Sequence, residues 1–191
     1  MLLTPRLRKA VLAAHVASSV GWMGAVLAYL VLDLLATFGQ DVPTVRAAFM
    51  AMSLIVLYGI VPLALAAVLI GIFLALGTPW GLFRHYWVLV KLLLTLFATM
   101  ILLLETRAIG AMAAVAATGA DPRDLPGSLP HSIGGALVLL TILILAIYKP
   151  AGMTRYGWRK QQAQRQSRFQ AGDDAAGIIG AGDHKITAAD Q

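Results

Sequence analysis

Cysteine is absent from this 191-residue chain, which excludes a disulfide framework and any thiolate metal site. Charge is scarce as well. Asp, Glu, Lys and Arg make up 13% of the residues, against about a quarter in a soluble domain. No acidic pair has metal-ligand spacing, no glycine-rich stretch has the form of a phosphate loop, and no nucleophile stands beside a base in a motif. Motifs therefore leave open whether the chain is an enzyme. What is abundant is apolar sequence: 59% of residues are hydrophobic and the mean hydropathy is +0.79. These residues gather in four runs, each near or above the roughly 20 residues that cross about 30 Å of hydrocarbon. Lipid offers the backbone no hydrogen-bond partners, so Leu- and Ala-rich runs with little turn chemistry read as helices.

The expected fold is all-α, an integral membrane four-helix bundle over residues 1–150. Its helices are predicted at about 10–35, 47–76, 86–109 (with a continuation toward 117) and 133–148. The first run is too long for a signal-peptide core and lacks a convincing Ala-x-Ala site, so it reads as an uncleaved span. Breakers separate the spans: Gly39 with Pro43, the segment from Gly77 to Gly81, and Gly119 to Pro130. Pro62 falls inside the second run, where it should kink the helix and free the Tyr58 carbonyl.

Charge orients the bundle. Arg6, Arg8 and Lys9 precede the first span, and Arg84 and Lys91 flank the second connection. Lys149, Arg155, Arg159, Lys160, Arg165 and Arg168 follow the fourth with no acid among them. The positive-inside rule then puts both termini of a multi-pass membrane protein in the cytoplasm. Residues 151–168 form a basic juxtamembrane segment suited to anionic lipid headgroups rather than nucleic acid. Residues 169–191 are poor in apolar residues and are expected to be a disordered tail.

The few polar residues inside the spans fall in register. His15, Ser18 or Ser19, Trp22, Ala25, Tyr29 and Asp33 share one face of the first helix. Gly21 and Gly24 beside it permit close approach of a neighbour. Trp87, Lys91, Thr95, Ala98 or Thr99, Leu102 and Glu105 make a second such face on the third helix. His15 and Lys91 should lie at similar depth. His15 can ligate haem or another metal, relay a proton, or simply bond a neighbouring helix. Lys91 can pair with a bound carboxylate or snorkel to the surface. Glu105 with Arg107 reads as an interfacial pair. His131 opens the fourth helix beside Ser132, Gly134 and Gly135, where it is a ligand or part of a cap.

Three segments carry a family resemblance: HVASSVGWMG from His15, PWGLFRHYWVLVK ending at Lys91, and His131 to Lys160 including KPAGMTRYGWRK. With these the chain resembles the DUF2269 family of small bacterial four-helix membrane proteins. More remotely, a histidine seven residues before Trp22-Met23-Gly24, with a lysine early in the third helix, resembles HemJ-type protoporphyrinogen oxidases and CopD-like membrane domains. That resemblance implies haem b, with His15 as the iron ligand, Lys91 as a supporting cation and Trp22 in the motif. The chain departs from the pattern where its first helix ends in YLVLDLL and where Glu105 takes the place of a late histidine. Three functional readings follow. The first is a non-enzymatic scaffold or accessory component, with a homo-oligomer or membrane-protein partner on its Gly and Ala faces. The others are a haem-associated redox or porphyrin-handling protein, and a carrier of metal or small solutes.

Overall fold

The computed structural model describes residues 4–77, 85–119 and 121–148, then 152, 154–159, 161–163, 165–167 and 170. Four long helices account for most of it: α1 (Pro5–Phe38), α2 (Val42–Gly77), α3 (Tyr86–Ala117) and α4 (Leu129–Tyr148). Each is long and apolar enough to cross a membrane. Their outward faces suit lipid rather than water: Val31, Leu69, Leu93, Leu104 and Ile147 are all about two-thirds exposed. This is the architecture of a multi-pass membrane protein. The tail expected over 169–191 lies outside the described residues apart from position 170, and the breaker segment 78–84 lies outside them too.

The helices run past the predicted limits because their ends are capped beyond the apolar runs. Pro5 takes the first position of α1 behind Thr4, whose hydroxyl accepts from the Leu7 N–H. At the other end the Gly39 N–H closes onto the Leu35 carbonyl at 2.9 Å. A Cβ at Gly39 would stand 2.5 Å from that oxygen and 2.8 Å from Val45, so the turn into α2 needs glycine for space. Asp41 starts α2 by accepting from the Thr44 N–H at 3.0 Å. Gly119, at φ +91°, ends α3 in the left-handed region. The fourth helix begins at Leu129, ahead of the expected position, because Ser128 caps it: the His131 and Ser132 N–H groups both donate to its carbonyl.

Upstream of Pro62 the helix departs from the regular α-helical ladder. The turn before it, Val56–Ile60, is widened to a π-helix, with the Val61 N–H donating to the Val56 carbonyl. A proline lacks the N–H to continue the ladder and its ring crowds the carbonyl four residues back. A wide turn just upstream gives the ring room.

Each helix packs on its sequence neighbours, and α4 closes the ring against α1. Ala48, Ala64 and Ala67 on α2 are buried with little side chain between helices. Gly21 admits Leu63, whose Cδ1 lies 3.4 Å from a virtual Cβ, whereas Gly24 faces open space. Close approach of α1 and α2 thus rests on small residues, as is common between membrane helices. After α4, Thr154 accepts from the Gly157 and Trp158 N–H groups and starts a short helical turn, leaving Tyr156 and Trp158 more than half exposed.

Away from the end where α1 begins, Arg123 joins two loops. Its guanidinium donates to Asp121 and, at 3.4 Å, to the Gln40 carbonyl. These bonds hold the Asp121 carboxyl well below the usual range, at about 2. A depressed carboxyl favours the folded form above the ordinary carboxylate range, and that contribution disappears as pH falls through about 2. Both groups are exposed and solvent-screened, so little stability is at stake. In Arg123→Gln the Asp121 carboxyl should return toward the ordinary range, read by carboxyl carbon chemical shifts across a pH titration.

Candidate functional site

The inward face of α1 is the one read from sequence spacing: Ser18, Trp22, Tyr29 and Asp33 are buried, with Val26 and Ala36 beside them. Ser18 is the buried serine, while Ser19 is half-buried. The Ser18 hydroxyl donates to the His15 carbonyl at 3.0 Å and so stays on its own helix. Thr95 and Thr99 on α3 likewise donate back to the carbonyls of Lys91 and Thr95. Hydroxyls folded onto their own helix satisfy themselves and offer little to a ligand.

The polar residues separate into two levels. Near the start of α1, the His15 ring lies on Gly71 of α2: a Cβ there would stand 2.9 Å from Cε1, 3.5 Å from Nδ1 and 3.6 Å from Nε2. The Ala67 carbonyl and the Lys91 ammonium are within electrostatic reach of the ring. Lys91 itself turns back toward the beginning of α3, its Nζ lying 5.5 Å from the centre of the Trp87 ring. His85 and Trp87 stand with their rings 6.4 Å apart at the same end. The buried Nδ1 lacks a hydrogen-bond partner among the described residues. The close seat makes a prediction: Gly71→Ala should cost roughly 1–2 kcal/mol by forcing the ring aside. The same change in a His15→Ala background should cost little, a coupling measurable by a double-mutant cycle on thermal unfolding.

The second level lies toward the ends of α1 and α3 and the beginning of α4. Asp33, fully buried, accepts from the Ser132 hydroxyl at 2.7 Å and from the Ser128 N–H at 3.4 Å. Its carboxylate therefore caps α4 from another helix, where the first-turn N–H groups carry partial positive charge. The Tyr29 hydroxyl and Ser128 Oγ share a hydrogen bond of 2.8 Å. Glu105 meets His131 across α3 and α4, with 3.4 Å between Oε1 and Nε2. The partner of Glu105 is thus a histidine on the next helix and not Arg107, which is exposed.

Beneath these groups is a cavity of about 330 Å³, walled by all four helices. Trp22, Val26, Val56, Ile60, Leu102 and Leu139 give it an apolar body, and Tyr29, Glu105, Ser128, His131 and Ser132 edge one end. The exposed lining residues Phe97, Pro130 and His131 mark a mouth between α3 and α4. Two features create the space. Gly134 and Gly135 line it with nothing within 4 Å of a virtual Cβ, so they leave volume rather than bring helices together. The widened turn of α2 contributes Val56 and Ile60 to the opposite wall. Tyr29, Glu105 and His131, all singled out from sequence, meet here, and Trp22 joins them. His15, Ser19 and Lys91 do not. Among the described residues no group of three or more His, Asp or Glu side chains is placed to hold a metal ion.

Fold and site together define a helical multi-pass membrane protein with a ligand-sized cavity between its spans. No protein-family model matches the chain, and no curated protein or solved structure matches it either.

Proposed function

We propose that this protein is a membrane-embedded binding component, without chemistry of its own, that holds a small apolar molecule with a hydrogen-bonding head. The observation that carries this reading is the cavity: an apolar body of about 330 Å³ with its polar groups gathered at one end. Such a division of lining suits a molecule that enters from lipid and is oriented by its head. It gives the scaffold or accessory role a content, since occupancy could then govern assembly with a partner. The basic residues around the start of α1 and after α4 support a cytoplasmic position for that end in a bacterial inner membrane. The cavity would then open in the outer half of the bilayer.

The test uses 1-adamantanol, a compact apolar cage bearing one hydroxyl, titrated calorimetrically into the full chain in a non-ionic detergent. Saturable binding accompanied by a shift in Trp22 emission, with the other tryptophans replaced by phenylalanine, supports the reading. Binding unaffected by Gly135→Leu, or no binding at millimolar concentration, removes it.

A further inference from the structure

Charge at the polar end of the cavity is lopsided. Glu105 lines it, and no Lys or Arg is among the described lining residues. Behind Ser128 and Ser132 lies Asp33, held by two neutral donors, so its negative charge is hydrogen-bonded but not cancelled. Both carboxylates are within electrostatic reach of the Tyr29 hydroxyl. The N-terminus of α4 would by itself favour an anion, but Asp33 already occupies that position. Among the described lining residues His131 is the one basic group at the rim. Its side chain is 55% exposed and meets Glu105 from the mouth, whereas the Glu105 side chain is 31% exposed and reaches inward. Trp22 and Tyr29 add aromatic rings to the wall, which attract a cation over their faces. In surroundings of low dielectric, a carboxylate discriminates strongly by the sign of an approaching charge.

We infer that the ligand of this cavity is a lipophilic cation, an apolar body with an ammonium head, for which Glu105 is the counter-ion. The inference rests on the binding role proposed above and specifies its ligand class. An ammonium entering from the mouth takes the Glu105 oxygens from His131, and the imidazole turns out to solvent. The apolar body then fills the space that Gly134 and Gly135 leave beside Trp22. Asp33 strengthens the field without touching the ligand.

Three probes share one cage and differ only in the head: 1-adamantylammonium, 1-adamantanol and 1-adamantanecarboxylate. Calorimetry on the full chain in non-ionic detergent should rank them in that order, the ammonium binding about tenfold more tightly than the alcohol. In Glu105→Gln this preference should vanish, the ammonium and the alcohol binding the variant with similar affinity. In His131→Gln the ammonium should bind more tightly, because a competitor for Glu105 is gone. Tighter binding of the carboxylate, or an ammonium preference that survives Glu105→Gln, overturns the cation inference while leaving the cavity reading in place. Failure of all three cages to bind wild-type protein removes both. Thermal unfolding of each variant separates a lost site from a lost fold.

Discussion

Replacing Asp33 with alanine is expected to lower stability by about 3 kcal/mol, the largest effect foreseen for any single side chain in the bundle. The carboxylate is fully buried and accepts from the Ser132 hydroxyl and the Ser128 N–H. Truncation leaves the Ser128 N–H facing an emptied space in a medium without water to satisfy it, while the Ser132 hydroxyl keeps only the Leu129 carbonyl at 3.1 Å. Hydrogen bonds to a charged acceptor contribute about 1.5–3 kcal/mol each, and the helix terminus adds a smaller favourable term. Removing a buried charge offsets part of that sum. For a chain of this size the net loss corresponds to a drop on the order of 10 °C in melting temperature. Asp33→Asn keeps the shape and one acceptor and should lose about half as much, while Ser132→Ala should lose about 1 kcal/mol. Thermal unfolding in detergent decides the matter: an Asp33→Ala protein that melts with the wild type would show that α4 does not depend on this cap.

The second large effect concerns Gly135. Its missing side chain leaves open volume, so leucine there should enter the cavity instead of colliding with a neighbour. Binding of 1-adamantanol should weaken at least thirtyfold, because a four-carbon side chain occupies a good part of a 330 Å³ space. Stability should hold or rise, since atoms lining a void gain contacts they lacked. The change costs no glycine-specific conformation, because residue 135 lies within the regular helix α4. The two readouts together are decisive. Weaker binding with an unchanged melting temperature locates the ligand between the helices, whereas unchanged binding places any ligand elsewhere.

The spans were legible in the sequence because hydropathy over some twenty residues depends on no neighbour. The inward face of α1 was legible for a similar reason. Trp22, Tyr29 and Asp33 recur at helical spacing, and three large or polar side chains on one face are hard to place in lipid. Helix ends were read too short because Thr4 and Ser128 cap the chain outside the hydrophobic runs, where hydropathy carries no information. The pairing of Glu105 was also beyond reach. Arg107 is near it in sequence, but two residues along a helix turn to different faces, and the choice of His131 depends on how α3 meets α4. A spacing of Ser132 and His131 signals a cap as readily as a site. The cavity left still less trace, because Gly134 and Gly135 look the same whether a neighbour fills the space or nothing does. In the pair His15 and Lys91 the shared depth was readable, but the seat of the imidazole on Gly71 was not.

The widened turn at Val56–Ile60 carries a consequence for the length of α2. A π-turn fits one more residue into the same rise than a regular α-helix would. That surplus residue lies level with the cavity, between a half of α2 that packs through Ala48, Phe49 and Met52 and a half that packs through Ala64 and Ala67. Tyr58, 74% exposed to the outside, belongs to this turn. The helix is therefore spliced at the level of the void, and shortening it by one outward-facing residue would re-form the ordinary spiral while leaving both packed halves in phase with their neighbours.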